Sequence, residues 1–147
     1  FDNVINLQTS FGYFSDEDNE WVLHEVSRVL KPGGIFVLEI ANPGWIIANF
    51  QARSWDETQS FYALEERRVD WKMKRMRSRR ILVNKKDGEI DEMPVDNRLY
   101  DLDELKELLL KAGLEVVSVL GSAEKEEFHA TKSRRILLVA KKQSKPS

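Results

Sequence analysis

Residues Arg28–Trp45 read RVLKPGGIFVLEIANPGW, a helix end, a turn and a strand in direct succession. Val29 and Leu30 complete an apolar stripe begun by Val22 and Val26, with Leu23 beside it, while Glu20, His24 and Arg28 point away. Lys31-Pro32-Gly33-Gly34 then stops the helix. A cation meets the negative end of the helix dipole, and proline and glycine cannot continue it. Ile35–Ala41 (IFVLEIA) is a strand, apolar on both faces except at Glu39.

Working outward, Phe1–Leu7 carries Val4, Ile5 and Leu7 in a short apolar run, the pattern of a buried strand. Gln8–Phe14 follows as an aromatic loop around Gly12, and Ser15 caps the next helix with Asp18 three residues on. Strand, helix and strand, with both strands apolar throughout, indicate a parallel sheet covered by helices.

Downstream, Asn42-Pro43-Gly44 opens a short helix through Trp45 to Phe50. Phe61–Asp96 changes character: Val69, Trp71 and Met73 alternate with Arg68, Asp70 and Lys72, and Asp87-Gly88 makes a turn. Antiparallel strands with one packed and one wet face are expected here, so residues 55–98 read as an insertion. Asp101 and Glu104 form a second capping pair, Leu102, Leu105, Leu108, Leu109 and Ala112 follow at helical spacing, and Gly113 closes the helix. Leu114–Leu120 and Ile136–Ala140 are strands separated by a polar loop, and the tail from Lys141 is basic and expected to fray.

The 147 residues suit one domain that buries roughly 70% of the unfolded surface. A net charge of -2 gives no whole-chain bias toward nucleic acid or membrane. The absence of cysteine excludes a disulfide framework, a thiolate zinc site and a cysteine nucleophile, and accords with a cytoplasmic setting. No apolar run reaches membrane-spanning length. Phe1 stands where methionine would open a translated chain, and the expectation is that further sequence precedes it.

Three segments together resemble the class I S-adenosylmethionine-dependent methyltransferases. Phe1–Phe14 (FDNVINLQTSFGYF) is similar to the fourth strand of that fold and its loop. Arg28–Trp45 resembles the end of the fourth helix, its stop and the fifth strand. Leu99–Gly121 (LYDLDELKELLLKAGLEVVSVLG) with Arg134–Lys142 (RRILLVAKK) resembles the last helix and the final antiparallel pair. The resemblance implies an α/β architecture: the C-terminal half of a Rossmann-like methyltransferase fold, a mixed sheet with an antiparallel last strand, plus an inserted antiparallel β subdomain. Its core would be residues 1–54 and 99–147, with 55–98 as a lid or dimerisation subdomain. The SFGYF loop and the insertion look most like small-molecule methyltransferases, including those acting on amino sugars on nucleotide carriers. The family's glycine-rich cofactor loop and its ribose-binding acid have no counterpart here, so S-adenosylmethionine would be bound mainly by a half preceding Phe1.

Ligands of open parallel sheets sit beyond the carboxyl ends of the strands, here Asn6–Ser10 and Asn42–Trp45. By resemblance, Asn6, Leu7 and Gln8 border the cofactor's methionine end. Ser10, Phe11, Tyr13, Phe14, Asn42 and Trp45 would form the acceptor pocket. Methyl transfer from a sulfonium mainly requires alignment and exclusion of water. An amine or hydroxyl acceptor also needs a base for its proton, and Tyr13 and Glu39 are the candidates. Each residue has a plainer reading. The SFGYF aromatics would pack on the next helix, Trp45 would fill a helix–sheet gap, and Glu39 would be a surface or ion-paired residue.

Arg67–Arg80 (RRVDWKMKRMRSRR) holds eight basic residues and one acid. It reads either as a phosphate-binding face or as a solvated hairpin face balanced by Glu65, Glu66, Glu89, Asp91 and Glu92. His24 and His129 lack carboxylates at metal-ligand spacing, so no metal site is expected, and Ser10 lacks a G-x-S-x-G context.

The function expected is S-adenosylmethionine-dependent methyl transfer to a nitrogen or oxygen of a small molecule. Homodimerisation through the exposed first strand or the insertion would accompany it, with neither membrane nor nucleic acid as partner. The alternatives are a non-catalytic binding or assembly module and, resting on Arg67–Arg80 alone, an RNA methyltransferase.

Overall fold

The computed structural model describes residues 1–144. Its elements run β1 (Asn3–Asn6), α1 (Asp16–Val29), β2 (Ile35–Ala41), α2 (Pro43–Ala48), β3 (Arg53–Glu57) and β4 (Phe61–Asp70). They continue β5 (Arg75–Asn84), β6 (Ile90–Arg98), α3 (Leu102–Lys111), β7 (Leu114–Leu120) and β8 (Arg135–Lys142). The chain divides into two compact units, Phe50–Arg98 and the flanking segments on either side of it. No helix among the described residues is long and apolar enough to cross a membrane.

In the flanking unit the sheet order is β1-β2-β8-β7. β1 and β2 pair in parallel, whereas β8 is antiparallel to both β2 and β7. This is the mixed α/β sheet with an antiparallel last strand that the methyltransferase resemblance implied. Phe36, Leu38 and Ile40 of β2 pair with Ala140, Leu138 and Ile136 of β8, and all six are buried in one core with Leu23, Leu105, Leu109 and Leu114 of the helical layer and β7. β8 reaches Lys142, so the basic tail begins in the sheet; the end of the expected frayed segment lies outside the described residues. Lys142 Nζ donates to the Leu30 carbonyl 2.7 Å away and to that of Ser27, satisfying the open end of α1.

Two expectations are corrected in this unit. The stripe of α1 that enters the core is Asn19–Leu23–Ser27, continued by Leu30, with Val22 and Val26 only flanking it. Asn19 is fully buried because its side chain donates to the Phe14 carbonyl (3.0 Å) and the Tyr100 hydroxyl (3.1 Å) and accepts from the Phe14 amide (3.3 Å). Hydrogen bonds thus turn a polar residue inward and rotate the helix. Secondly, β1, whose apolar run reads as a buried strand, is not covered within this chain. It is the sheet edge, and Ile5, paired with Val37 on the face away from the core, is 66% exposed.

Residues 50–98 form an antiparallel meander, β3-β4-β5-β6. The alternation read across Phe61–Asp96 is broken at residues 71–74, a turn in which Lys74 takes a φ of 49° and Asp70 Oδ1 accepts from the Met73 amide at 3.0 Å. Trp71 and Met73 consequently stand at an exposed turn and not on a packed face. The arginines of this run are paired: Arg75 and Arg77 with Asp96, Arg79 with Glu92, Arg67 and Arg80 with Glu65, and Arg68 with Glu66. A ladder neutralised in this way presents little free positive charge to phosphates.

Candidate functional site

β1 and β2 end side by side, and the chain leaves β1 through a strained turn. Gln8 and Thr9 both have a φ of 58°, a left-handed conformation that side chains other than glycine's disfavour. Each such residue costs roughly 1–3 kcal/mol and persists only where its surroundings hold it; such residues cluster at functional sites. Three contacts hold it here. The Gln8 amide donates to Glu39 Oε1 at 3.0 Å, the Ser10 hydroxyl donates to the Leu7 carbonyl, and Arg135 donates to the Thr9 hydroxyl. Asn6 Oδ1, at the end of β1, is buried without a hydrogen-bond partner.

The carboxyl end of β2 is built around Asn42. Its side chain accepts from the Gly44 amide (3.0 Å), capping α2, and donates to the carbonyls of Ala130 (2.9 Å) and Ser133 (2.8 Å) in the β7–β8 connection. Gly44 is required there, since a Cβ would meet the Ala130 carbonyl oxygen at 2.1 Å. The guanidinium of Arg134 lies 5.0 Å from the centre of the Trp45 ring, a cation–π arrangement that fixes both.

The residues singled out in the sequence separate into groups. Gln8 and Glu39 come together directly, whereas no hydrogen bond joins Tyr13 to Glu39 among the described residues. Phe11 is buried, its ring 5.6 Å from that of Tyr100, so it belongs to the core and not to a pocket wall. Asn42 is likewise buried, with its polar atoms committed to the loop, and acts as an anchor. Leu7, Tyr13 and Phe14 remain exposed, and Ser10 lies at the surface of the turn. His24 lies 3.9 Å from Glu20, the His129 amide bonds Ser133, and no group of three or more metal-ligating side chains occurs among the described residues.

Sequence reasoning passed over Thr9, Arg134 and Arg135. Arg134-Arg135 carried a signal, two cations placed where an apolar strand begins, but their partners lie about ninety and over a hundred residues away (Trp45 and Thr9).

No protein-family model matches the chain. It is 31% identical over 126 residues to the uncharacterized protein MJ1252 of Methanocaldococcus jannaschii, covering 83% of the present chain and 43% of that protein. Among solved structures, the CcbJ methyltransferase of Streptomyces caelestis superposes with a TM-score of 0.81 at 22% identity, over 95% of this chain and 59% of CcbJ. An S-adenosylmethionine-dependent methyltransferase of Clostridium acetobutylicum gives a TM-score of 0.81 at 16% identity, over 98% of this chain and 59% of the enzyme. The chain therefore spans less than half of its sequence relative and about three-fifths of these structures. Its sheet order, its antiparallel last strand and these superpositions establish part of the class I methyltransferase fold.

Proposed function

We propose that the protein to which these residues belong transfers the methyl group of S-adenosylmethionine to a nitrogen or oxygen of a small molecule. The observation that carries this reading is the strained Gln8-Thr9 turn at the carboxyl end of a parallel strand pair, braced by Glu39 and Arg135, within a methyltransferase fold. The cofactor supplies an electrophilic methyl on a sulfonium. This chain fits only one end of it. The buried Asn6 Oδ1 is an acceptor suited to an ammonium donor, with Leu7 and Gln8 beside it. The positive-φ glycines are spent elsewhere: Gly33 follows a helix, Gly113 ends one, Gly88 turns a hairpin and Gly12 lies in the SFGYF loop. On this reading the remainder of the cofactor is held by residues preceding Phe1.

Exposed Tyr13 and Phe14, with Ser10 and Trp45, supply the acceptor side, and the ring faces exclude water. Glu39, anchored through one oxygen, takes the acceptor's proton through the other, and Tyr13 is the second candidate base. The 50–98 unit serves as a lid or pairs with a second copy through the exposed cross-strand pair Trp55 and Leu64, and a cytoplasmic setting belongs to the same proposal. The test extends the chain by the coding sequence upstream of Phe1 and incubates it with methyl-labelled cofactor and small amines, including amino sugars. Label on an acceptor, reduced roughly 100-fold by Glu39→Gln or Tyr13→Phe, supports the proposal. Tight cofactor binding with no transfer to any acceptor favours a non-catalytic module.

A further inference from the structure

The connection between β7 and β8 lines an open cleft of about 680 Å³ that the methyl-transfer site leaves unexplained. Lys132, Arg134, Arg135 and His129 line it with the hydroxyls of Ser122 and Ser133. Its wall is built and not draped. The Gly121 amide donates to the Glu126 carbonyl at 2.8 Å, and the Ser133 hydroxyl accepts from the His129 amide at 2.8 Å. A Cβ at Gly121 would meet that same hydroxyl at 2.8 Å.

The charges of this cavity are unusual for the chain. Arg28 and every arginine from Arg53 to Arg80 lie against a carboxylate. Arg134 and Arg135 have no carboxylate partner among the described residues, although Glu126 and Glu127 line the same cavity. Instead Arg134 lies over the Trp45 ring and Arg135 is fixed by the Thr9 hydroxyl, neither of which neutralises charge. Two guanidinium groups oriented by uncharged partners, with a lysine beside them, form a preorganised oxyanion receptor. The two glutamates can accept from hydroxyl groups of the same ligand.

We propose that this cavity binds the oxyanion of a small molecule, a phosphoryl or carboxylate group, and that the methyl acceptor is anchored by it. The second clause rests on the methyl-transfer reading; the first stands without it. Arg134 connects the two sites physically, because it touches the cavity and Trp45 at once.

The test titrates the 147-residue chain with inorganic phosphate, pyrophosphate and succinate in low salt, without cofactor, following backbone amide resonances. Saturable shifts confined to residues 121–135 and Trp45 are expected, weakening roughly tenfold in the Arg134→Gln/Arg135→Gln variant and not in Arg28→Gln. Lys132→Gln, a change at an exposed residue, guards against misfolding of the double variant and is expected to weaken binding in the same sense. Preference for the phosphates or for succinate identifies the oxyanion. Absence of saturation with all three probes, or undiminished binding in both cavity variants, overturns the proposal. Because no methyl donor is present, that outcome leaves the labelled-transfer experiment to judge methyl transfer independently.

Discussion

Asn19 and Tyr100 meet through a hydrogen bond of 3.1 Å between Nδ2 and the phenol oxygen, 81 residues apart in sequence, with both residues buried. The same amide group binds both backbone groups of Phe14, so one side chain joins the aromatic loop, α1 and the residue that precedes α3. Asn19→Leu keeps the branched outline of the side chain but abolishes these bonds, and it is expected to destabilise the chain by about 2–4 kcal/mol. Tyr100→Phe removes the bond to Asn19 and should cost about 1 kcal/mol. Urea unfolding midpoints measure both; equal losses for the two variants would show that the Phe14 bonds carry no weight.

Gly44→Ala forces a methyl group into the Ala130 carbonyl, 2.1 Å from its ideal position. Either α2 or the β7–β8 connection has to move, so thermal unfolding should show a loss of roughly 2–3 kcal/mol. Gly88 provides the comparison, having open space around it but a φ of 74°. Its alanine variant should cost about 1 kcal/mol through backbone strain alone.

Acid should weaken the 50–98 unit in a defined window. Partial burial opposes ionisation of Asp96, but the hydrogen bonds and charges of Arg75 and Arg77 outweigh it and hold the carboxyl below its ordinary range. Glu92 is lowered by its bond to Arg79. A depressed folded-state pKa contributes stability that is complete above the unfolded value and disappears as pH falls through the folded one. Stability is therefore expected to be flat near neutrality and to fall below about pH 4. Asp96 is largely solvated, so Asp96→Asn should remove at most about 1 kcal/mol near pH 7 and flatten the acid limb of a pH-dependent denaturation series.

The isolated chain should bind S-adenosylmethionine weakly, because the proposal assigns the cofactor only Asn6, Leu7 and Gln8 in this chain. Calorimetry is expected to show no saturation at roughly micromolar concentrations. Micromolar affinity would contradict the assignment of most cofactor contacts to preceding sequence.

Capping and stop signals were legible in the sequence because they are local. Ser15 and Asp101 accept from the amides three residues on, and Gly113 closes α3 with a φ of 79°. The parallel β1–β2 pair followed from segment order, and the antiparallel β8 from the resemblance to methyltransferases. Long-range commitments were not legible. Periodicity could not show that Asn19 outranks Val22 for the core, that Phe11 leaves the pocket for Tyr100, or that Arg135 would reach Thr9. Each depends on a partner with no sequence spacing to announce it. Asp70 to Lys74 misled for the opposite reason: apolar alternation persists through a turn that the Asp70 carboxylate closes.

The position of β1 has a kinetic consequence. β8 lies between two strands and its amides are shielded on both sides, whereas β1 hydrogen-bonds to β2 alone. Amide hydrogens should thus exchange with solvent slowest in Leu137–Val139 and soonest at the sheet margin that feeds the Gln8-Thr9 turn. The rigid part of this sheet is its β2–β8 centre, and the strand that leads into the Gln8-Thr9 turn is a margin able to breathe.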